Sequence, residues 1–332
     1  DKENINLIEL KKKKISFKNL PKGNFLKSRI TYFIIFFSTI IDLHKKIKKE
    51  KPEYLVVHLL SFIPLFLLMI FNYKTKFILR ISGYPKLNFI RTIFWKMISK
   101  KIYKVFCPTT LTKKYLEEKK IFDESKIFLV KDPIIRPKIL KKKINEPNID
   151  ILNRKKYIVS IGRLTNQKNF TFLINVFNEI QKKEPDLNLI ICGDGEEKED
   201  LIKLIKKLKL EENVKLVGFK KNIYPILFGA KLFVLTSNWE DPGFVIIEAM
   251  FSKKIVLTSD CPNGPKNIVK DRINGFKFKM NDKKEFLNKF YEISELQINK
   301  KNEIRKILIN GIKTSRLYSL FNHYKDISNH FI

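Results

Sequence analysis

Short apolar runs alternate with longer stretches of helical periodicity from Tyr157 to the end of the chain. Strands are predicted at 157–161, 187–192, 214–217, 232–235, 255–258 and 275–278. Helices are predicted at 170–183, 198–208 and 224–229, with amphipathic stretches at 283–290 and 301–327. A chain in which strands alternate with helices forms a parallel sheet with helices on both faces. The pattern therefore predicts an α/β domain in the second half.

The first half is less regular but follows a similar alternation. Strands are predicted at 54–58, 76–81, 104–107 and 127–130, and residues 4–10 look like a further strand. The polar, lysine-rich segment 138–150 contains Pro147 and is the best candidate for a linker. At 332 residues the chain is long enough for two ordinary domains. We expect these domains at 1–140 and 151–300.

Two apolar runs in the first half raise the question of a membrane span. The run 32–41 is too short to cross a bilayer, and the 17 residues of 55–71 are at the lower limit. The second run also contains His58, Ser61 and Pro64. We interpret it as a buried strand followed by a buried helix, with a membrane-spanning helix as the alternative. The first 24 residues are too highly charged for a signal peptide, so none is expected.

The formal net charge of +33 is concentrated in the first half of the chain. A charge of this size favours anionic partners, namely a membrane surface, a phosphorylated ligand or a nucleic acid. A genome-wide preference for lysine is the alternative, because Lys, Asn and Ile are all abundant. Three separated cysteines without a CxxC pair indicate a reduced cytosolic protein rather than a disulfide framework. The four histidines show no metal-ligand spacing.

Two glutamates, Glu240 and Glu248, enclose the segment Asp-Pro-Gly-Phe-Val-Ile-Ile. Glu240 follows a predicted strand, and Glu248 lies about one turn into the helix that follows the Pro242-Gly243 turn. Ligands bind at this carboxyl edge of an open parallel sheet. Both carboxylates could accept hydrogen bonds from sugar hydroxyls, and the amides of Gly243 and Phe244 could face an anion. The alternative is a loop glutamate and a solvated helix glutamate.

The first strand of the second half opens into the loop Gly-Arg-Leu-Thr-Asn-Gln-Lys-Asn, residues 162–169. Gly162 lets the backbone turn tightly, and Arg163 and Lys168 place two cations beside the start of a helix. Positive side chains combined with the positive end of a helix dipole suit a pyrophosphate. Basic residues that merely solvate a loop are the alternative.

Glycines also follow the next two predicted strands. Gly193 lies in a Cys-Gly-Asp-Gly turn, where glycine permits a ligand to approach the backbone closely, although this pattern is common in α/β proteins. Gly218 and Phe219 end the third strand and could border a slot for a nucleotide base. An ordinary strand end is the simpler explanation of that second pattern.

Taken together, these motifs form an ordered series: GRLxxQKN, GDG, VGF, the two glutamates, NGP and NGF. The series resembles the family-four retaining glycosyltransferases, strongly over 157–278 and more weakly over 50–137. The resemblance implies an α/β fold of the GT-B type, in which two Rossmann-like domains face each other across a cleft. It also implies that the tail, 301–332, holds a helix that crosses back onto the N-terminal domain.

The resemblance implies that Arg163 and Lys168 hold the diphosphate of a nucleotide-diphosphate sugar and stabilise it as the leaving group. Glu248 would bind the ribose hydroxyls, and Glu240 would lie on the donor-sugar side. Fixed donors of this kind contribute about 3 kcal/mol each to transition-state stabilisation. No Asp-x-Asp motif for a divalent metal occurs, so we expect transfer that needs neither metal nor cofactor. The two glutamates would not be the paired acids of a glycosidase.

The resemblance extends to the donor loop and to one residue of the first half. Gly243, Phe244 and Val245 match a loop whose amides meet the sugar or the phosphate. His58, at the end of the predicted strand 54–58, matches a histidine that often faces the donor sugar. A buried histidine capped by a neighbour is the alternative for His58.

Three features depart from the family's pattern. No strand with a glycine-rich loop follows the start at Asp1, so we expect an incomplete N-terminal domain, which could leave this chain inactive although the full protein works. Asn267 stands where an acid commonly follows the Gly-Pro turn, and Asp132-Pro133 replaces an Asn-Gly pair. The last two departures affect donor contacts rather than the class of protein.

The leading interpretation is a retaining glycosyltransferase that moves a sugar to a polysaccharide or lipid-linked acceptor. Bacterial relatives build surface polysaccharide such as lipopolysaccharide, so we expect a cytoplasmic protein held peripherally at the anionic inner face of the membrane. A nucleic-acid-binding protein would interleave basic residues with exposed aromatics. The 28 phenylalanines lie mostly in apolar runs and are interpreted as core, so no nucleic acid is expected. A catalytically silent membrane-associated fragment and a non-hydrolysing sugar-nucleotide epimerase are the remaining alternatives.

Overall fold

The structure is a computed structural model that describes residues 25–59, 61–85, 87–136 and 156–331. The described chain divides into two compact units. Unit 1 contains the described residues up to Cys107 together with Lys113–Leu129, and unit 2 contains Pro108–Thr112 and the described residues from Val130 onward. The predicted strand at 4–10 and the predicted linker at 138–150 lie outside the described residues. The domain boundaries inferred from the sequence stay predictions.

Unit 1 is built on a four-stranded parallel sheet in the order β1-β2-β3-β4. The strands are β1 (Tyr54–Val57), β2 (Lys76–Arg80), β3 (Ile102–Cys107) and β4 (Ile127–Leu129). The helices are α1 (Phe25–Glu50), α2 (Phe62–Ile70), α3 (Phe89–Ile98) and α4 (Thr110–Glu118), of which α4 begins in unit 2. Strand residues such as Phe77 and Val105 and helix residues such as Leu65 are fully buried in one core.

The apolar run 55–71 is a strand followed by a helix, as predicted. β1 occupies its beginning and α2 its end, and four apolar side chains of α2 are buried. Among the described helices, none combines the length and the apolar character that a membrane crossing requires.

Unit 2 contains a six-stranded parallel sheet in the order β10-β9-β8-β5-β6-β7. The strands are β5 (Tyr157–Ile161), β6 (Asn188–Cys192), β7 (Val214–Leu216), β8 (Leu232–Leu235), β9 (Val256–Ser259) and β10 (Phe276–Phe278). The helices are α5 (Phe170–Lys183), α6 (Lys198–Lys207), α7 (Tyr224–Gly229), α8 (Phe244–Phe251), α9 (Pro265–Ile268), α10 (Lys283–Asn299), α11 (Lys301–Arg316) and α12 (Leu320–Phe331). The predicted strands of this half and the predicted helices at 170–183, 198–208 and 224–229 are confirmed to within one residue, whereas the amphipathic stretch at 283–290 is only the first part of α10.

The residues of unit 2 explain why these elements form. β5 and β8 are apolar runs of strand length whose side chains are almost entirely buried. α5 begins after Asn169, whose side chain accepts a hydrogen bond from the amide of Phe172. The helix buries Phe170, Ile174 and Phe177, which are spaced as one face of an α-helix requires.

The order of the strands fixes where a ligand can bind in unit 2. β5 pairs with β6 on one side and with β8 on the other, so the chain order reverses at the β5–β8 boundary. In an open α/β sheet, ligands bind beyond the carboxyl ends of the strands at such a switch point. The loops that leave β5 and β8 are 162–169 and 236–243, which are the two segments singled out from the sequence.

The amphipathic tail is two helices rather than one. α11 and α12 are separated by a turn at Leu317–Ser319, and the amides of Ile134 and Ile135 both donate to the carbonyl of Tyr318 at 2.9 Å. His323 Nδ1 lies 2.6 Å from the carbonyl oxygen of Lys131. These contacts are within unit 2. The return of the tail to the N-terminal domain stays a prediction.

The phenylalanines are not all in the cores, so that interpretation was too broad. Among the described residues, ten phenylalanines are buried, but six are exposed. The exposed ones are Phe33, Phe37, Phe62, Phe89, Phe219 and Phe321.

Candidate active site

Hydrogen bonds join the two loops at the switch point of unit 2. The amide of Asn238 donates to the carbonyl of Gln167 at 2.8 Å, and Gln167 Nε2 donates to the carbonyl of Trp239 at 3.0 Å. Thr236 Oγ1 donates to the carbonyl of Lys168 at 3.1 Å. The loop after β5 and the loop after β8 are therefore held in a fixed register, and their side chains meet at one edge of the sheet.

The central contact of this edge is an ion pair between Lys168 and Glu240. Lys168 Nζ lies 2.5 Å from Glu240 Oε1, and the two side chains are only 12% and 3% exposed. Ser237 Oγ donates to the same carboxylate oxygen at 2.5 Å. Burial removes water that would otherwise screen the pair, so each charge depends on the other for its stabilisation. The ammonium predicted to face a diphosphate is thus already bound to a carboxylate.

Glycines allow this ion pair to pack against the backbone. A Cβ at Gly162 would lie 2.7 Å from Lys168 Cε, so the lysine stem occupies the space beside the glycine. A Cβ at Gly264 would lie 2.3 Å from the carbonyl oxygen of Pro242 and 2.9 Å from Glu240 Cβ. Close approach of the backbone therefore requires a glycine at position 264, whereas a side chain at position 162 would have to displace the flexible stem of Lys168.

Helix α8 starts beside the ion pair. Its N-cap residue is Gly243, with φ +78° and ψ 50°, a left-handed conformation that suits glycine. The positive end of the helix dipole lies at this point, next to Phe244 and Val245 at the start of the helix. A Cβ at Gly243 would come within 3.1 Å of Glu240 Cγ, which places the helix start in contact with the buried carboxylate.

Glu248 lies one turn further along α8 and is half-buried. Tyr224, in α7, donates its hydroxyl hydrogen to Glu248 Oε1 at 3.2 Å. Burial and the neighbouring carboxylate raise the pKa of Tyr224 well above the usual value for tyrosine. The phenol therefore keeps its proton and holds the Glu248 carboxylate in place.

Arg163 presents a cation of a different kind from Lys168. It lies in the loop after β5 and is exposed. Within the described parts of the chain, no carboxylate forms an ion pair with its guanidinium. Its charge is therefore not compensated and can attract an anion at this edge of the sheet.

The loops after β6 and β7 continue the same edge. Gly193 has φ +155°, and a Cβ there would lie 1.7 Å from the carbonyl oxygen of Gly162. Its amide donates to the carbonyl of Gly218 at 3.0 Å. Phe219, which follows Gly218, is exposed. Burial raises the pKa of the Cys192 thiol to about 12, and the Lys220 ammonium acts in the opposite direction. A further cation therefore lies close to the end of β6.

The structure brings most of the predicted site residues to one edge of unit 2. Direct contacts join Gly162, Lys168, Glu240 and Gly243, and Phe244, Val245 and Glu248 follow on α8. Arg163 shares the loop of Lys168, and Gly193 is hydrogen-bonded to Gly218. His58 belongs to the other unit: it follows β1 in unit 1, where it is exposed. It is therefore not the buried, capped histidine that was considered as an alternative.

Several contributors to this site were missed in the sequence. Ser237 and Tyr224 bind the two glutamates, and Gly264 packs on Glu240. The sequence marked the position of Gly264, because Asn-Gly-Pro is typical of a turn. A turn motif does not show which distant residue it contacts. No such signal marked Tyr224, because it belongs to a short apolar helix with no polar pattern.

The two parallel α/β sheets are those of a GT-B protein, and the comparison with known families agrees. Residues 141–311, slightly more than half of the chain, match the family described as Glycosyl transferases group 1. The chain belongs to this family, and the resemblance inferred from the motifs is confirmed.

Two relatives in sequence illustrate the range of the family. An uncharacterized glycosyltransferase of Methanocaldococcus jannaschii is 34% identical over 248 residues, which are 69% of this chain and 61% of the relative. The N-acetylgalactosamine-N,N'-diacetylbacillosaminyl-diphospho-undecaprenol 4-alpha-N-acetylgalactosaminyltransferase of Campylobacter jejuni is 29% identical over 215 residues, 60% of this chain and 55% of the relative. The chain thus matches less than two thirds of the length of either protein.

Solved structures show the same fold. A glycosyltransferase from Rickettsia africae superposes with a TM-score of 0.73 at 17% identity, over 90% of this chain and 81% of the other. Anabaena HepE in complex with UDP and glucose gives a TM-score of 0.69 at 16% identity, over 88% and 81%. At these identities the likeness concerns the fold alone, and it confirms the predicted GT-B class.

Proposed function

We propose that this protein is a retaining glycosyltransferase that moves a sugar from a nucleotide-diphosphate sugar to a polysaccharide or lipid-linked acceptor. The observation that carries the proposal is the buried Lys168–Glu240 pair at the switch point of unit 2, beside the start of α8 and the uncompensated Arg163. The relatives support the same class of substrate. HepE was solved with UDP and glucose, and the Campylobacter enzyme is named for transfer to a diphospho-undecaprenol acceptor.

The charges at the site suit the departure of a diphosphate. In the transfer, the bond between the anomeric carbon and the diphosphate oxygen breaks, and its electron pair leaves with the diphosphate. A bond forms between that carbon and an acceptor oxygen, and the acceptor's hydroxyl proton passes to the departing diphosphate. Arg163 would meet the negative charge directly. Lys168 has three N–H donors, so it could keep Glu240 and still donate to a phosphate oxygen.

The other predicted residues have supporting roles in this proposal. Glu248, held by Tyr224, would accept hydrogen bonds from the ribose hydroxyls. The start of α8 at Gly243, Phe244 and Val245 would face the donor. Phe219 would border the base, and His58 of unit 1 would face the donor sugar.

Two cations that neutralise the leaving group would make a metal ion unnecessary, so we propose that the transfer is metal-independent. Arg163 and Lys168 perform the electrostatic task that a divalent ion performs in other transferases. An acceptor on a lipid carrier would place the protein at the cytoplasmic face of the membrane, where the positive charge of the first half favours an anionic surface.

A donor screen tests the proposal. The protein, with any residues that precede Asp1 in the native sequence restored, is incubated with UDP-, GDP- and ADP-sugars, and the released nucleotide is measured with and without EDTA. We expect release from one donor that EDTA does not change. NMR of the product should show the same anomeric configuration as the donor, whereas an epimerase would yield an altered sugar without transfer.

Two variants connect the activity to the site. Arg163→Ala should lower the turnover number by about 100-fold or more, because a cation that stabilises the leaving group is lost. Glu248→Gln should weaken donor binding because a neutral amide accepts ribose hydrogen bonds less strongly. Lys203→Ala is the control, since Lys203 is exposed on α6 and outside the site. Full activity of Arg163→Ala would contradict the proposal.

A further inference from the structure

Unit 1 exposes an apolar surface on helices that would normally turn such residues inward. On α3, Phe89, Ile90 and Met97 are 79%, 78% and 63% exposed, and Ile93 lies between them. They recur at the spacing of one helical face, and Trp95 and Ile98 face the core instead. A helix with apolar residues on both its inner and its outer side is usually covered by something else.

α1 carries a second exposed stripe of the same kind. Phe33 and Phe37 are 63% and 70% exposed, and their rings are stacked with centroids 6.4 Å apart. Ile30, Ile34 and Ile41 extend the stripe along the helix. The inner side of α1 is formed by other residues, among them the buried Ile47.

α2 connects the two stripes. The ring of Phe36 in α1 packs on the ring of Phe62 in α2 at 5.7 Å, and Phe62 packs on Phe94 in α3 at 5.1 Å. Phe62 is itself exposed between the neighbouring helices. Burial raises the pKa of Tyr32 in α1, whereas the backbone of Phe62 and the guanidinium of Arg91 in α3 lower it. Both groups therefore lie close to the Tyr32 hydroxyl. The exposed residues of α1, Phe62 and α3 therefore belong to one surface, which we call the apolar surface of unit 1.

The surroundings of this surface are strongly basic. Between Glu53 and Glu117 the sequence contains no acidic residue. Exposed cations on and after α3 are Arg91, Lys96, Lys100 and Lys101, and Lys45, Lys48 and Lys49 are exposed at the end of α1. The acids of α1 are Asp42 and Glu50, and Glu50 is paired with Lys46 at 2.9 Å. The net charge at the edge of the surface is thus positive.

We infer that the apolar surface of unit 1 docks on an anionic lipid bilayer, with its phenylalanine, isoleucine and methionine side chains inserted at the interface. The basic residues around it then face lipid phosphates. Aliphatic side chains make up half of the surface. Transfer of these side chains into the acyl region is energetically favourable. They offer a nucleic-acid base neither a stacking plane nor a hydrogen bond. The inference deepens the proposed function, because it names the surface that would bring the site to a lipid-linked acceptor.

Vesicle flotation of the full chain tests the docking without depending on activity. The probes are phosphatidylcholine vesicles with and without phosphatidylglycerol. We expect flotation with the anionic vesicles, and we expect Ile90→Gln/Met97→Gln to reduce the partition coefficient by at least about tenfold, since two large apolar side chains are removed from the lipid. The matched control is Ile298→Gln, at a residue that is 71% exposed on α10 of unit 2 and should not matter.

A second pair of variants isolates the charge. Lys96→Gln/Lys100→Gln should reduce binding to the anionic vesicles by several-fold and leave the weaker binding to neutral vesicles unchanged, since each basic residue near the surface contributes separately. Lys206→Gln/Lys207→Gln on α6 is the control with the same change of charge. Equal losses in the two pairs would show that only the total charge of the chain matters, and would overturn the assignment of this surface.

A fluorescent label reports which face enters the lipid. The native cysteines Cys107, Cys192 and Cys261 are buried, and burial raises the pKa of each thiol to about 12, so a cysteine introduced at an exposed position is labelled selectively. An environment-sensitive dye on Met97→Cys should shift to the blue with anionic vesicles, and the same dye on Ile298→Cys should not. A shift at neither position, or a shift at Met97→Cys that single-stranded RNA produces instead of vesicles, would overturn the inference.

The outcomes separate this inference from the proposed function. Nucleotide release from the donor is measured for the Ile90→Gln/Met97→Gln variant in the absence of vesicles, where it should equal that of the unaltered protein. Flotation without any donor turnover would leave the docking surface established and the proposed function contradicted. Turnover without flotation would support the proposed function and overturn the docking surface.

Discussion

At the scale of single residues, Lys168–Glu240 is the most deeply buried ion pair among the described residues. Removing one partner leaves an uncompensated charge where water cannot reach it. We expect Glu240→Ala to lower the free energy of unfolding of unit 2 by about 3–5 kcal/mol, measured by urea denaturation. Glu240→Gln should lower the free energy of unfolding by less, because the amide oxygen can still accept a hydrogen bond from the Lys168 ammonium.

An exposed pair provides the control for this prediction. Lys203 and Asp200 on α6 lie 3.5 Å apart with side chains 76% and 79% exposed. Asp200→Ala should change the free energy of unfolding by less than about 1 kcal/mol. If Glu240→Ala lowered the free energy of unfolding no more than Asp200→Ala does, the Lys168–Glu240 pair would have to be hydrated in solution, contrary to its burial.

Two glycines of the site separate steric from conformational strain. Gly218 has φ +69°, and no neighbouring atom lies within 4 Å of the position that a Cβ would take, so Gly218→Ala should cost only the strain of a left-handed residue, about 1–2 kcal/mol. Gly193→Ala would place a methyl group 1.7 Å from the carbonyl oxygen of Gly162. We expect Gly193→Ala to lower the free energy of unfolding by clearly more than about 2 kcal/mol. It should also abolish nucleotide release from the donor, because the loop that carries Arg163 must move. Equal melting temperatures of the two variants would contradict this account.

The sequence indicated candidate residues for the site, but it did not show which side chains these residues contact. Arg163, Lys168, Glu240 and Glu248 stood out because charged residues beside glycines follow apolar strands. The ion pair could not be predicted, since Lys168 and Glu240 are 72 positions apart. Their contact depends on β5 and β8 being neighbours in the sheet, and the order of strands is a property of the whole unit.

At the scale of elements, strands were easier to predict than helices. β5, β6 and β8 are short, nearly uniform apolar runs bounded by polar or glycine residues, so their ends are visible in the sequence. α1 was not predicted as an element, because apolar residues occupy both its inner side and its exposed side and blur the helical period. The break between α11 and α12 was also missed, since hydrogen bonds to Ile134 and Ile135 stabilise that turn from a distant segment.

The contact between α7 and α8 leads to a prediction about donor binding. Tyr224→Phe removes the hydrogen bond that holds Glu248 and leaves the ring in place. We expect the KM for the donor to rise by about 2- to 10-fold with a small change in kcat, as the loss of one hydrogen bond implies. Because burial and Glu248 raise the pKa of Tyr224, the hydroxyl stays protonated, so the ratio of the KM values should not change between about pH 6 and 9. A change in kcat alone would place Glu248 at the reacting atoms instead.

At the scale of the whole molecule, the two units have separate cores and each contains one of the two tryptophans. Trp95 is buried in unit 1 against Phe122, and Trp239 lies in the loop after β8 of unit 2. Trp239→Phe therefore leaves a fluorescent reporter of unit 1, and Trp95→Phe leaves a reporter of unit 2. The two backgrounds allow the unfolding of each unit to be followed separately in urea.

Matched cavity substitutions then test whether the units unfold on their own. Leu65 in α2 and Leu189 in β6 are both fully buried, one in each core. Leu65→Ala should lower the free energy of unfolding seen by Trp95 by about 2–5 kcal/mol and leave the Trp239 transition in place, and Leu189→Ala should do the opposite. If each substitution shifted both transitions equally, the two cores would form one cooperative unit. The stability of the Lys168–Glu240 site would then depend on the helices that form the apolar surface of unit 1.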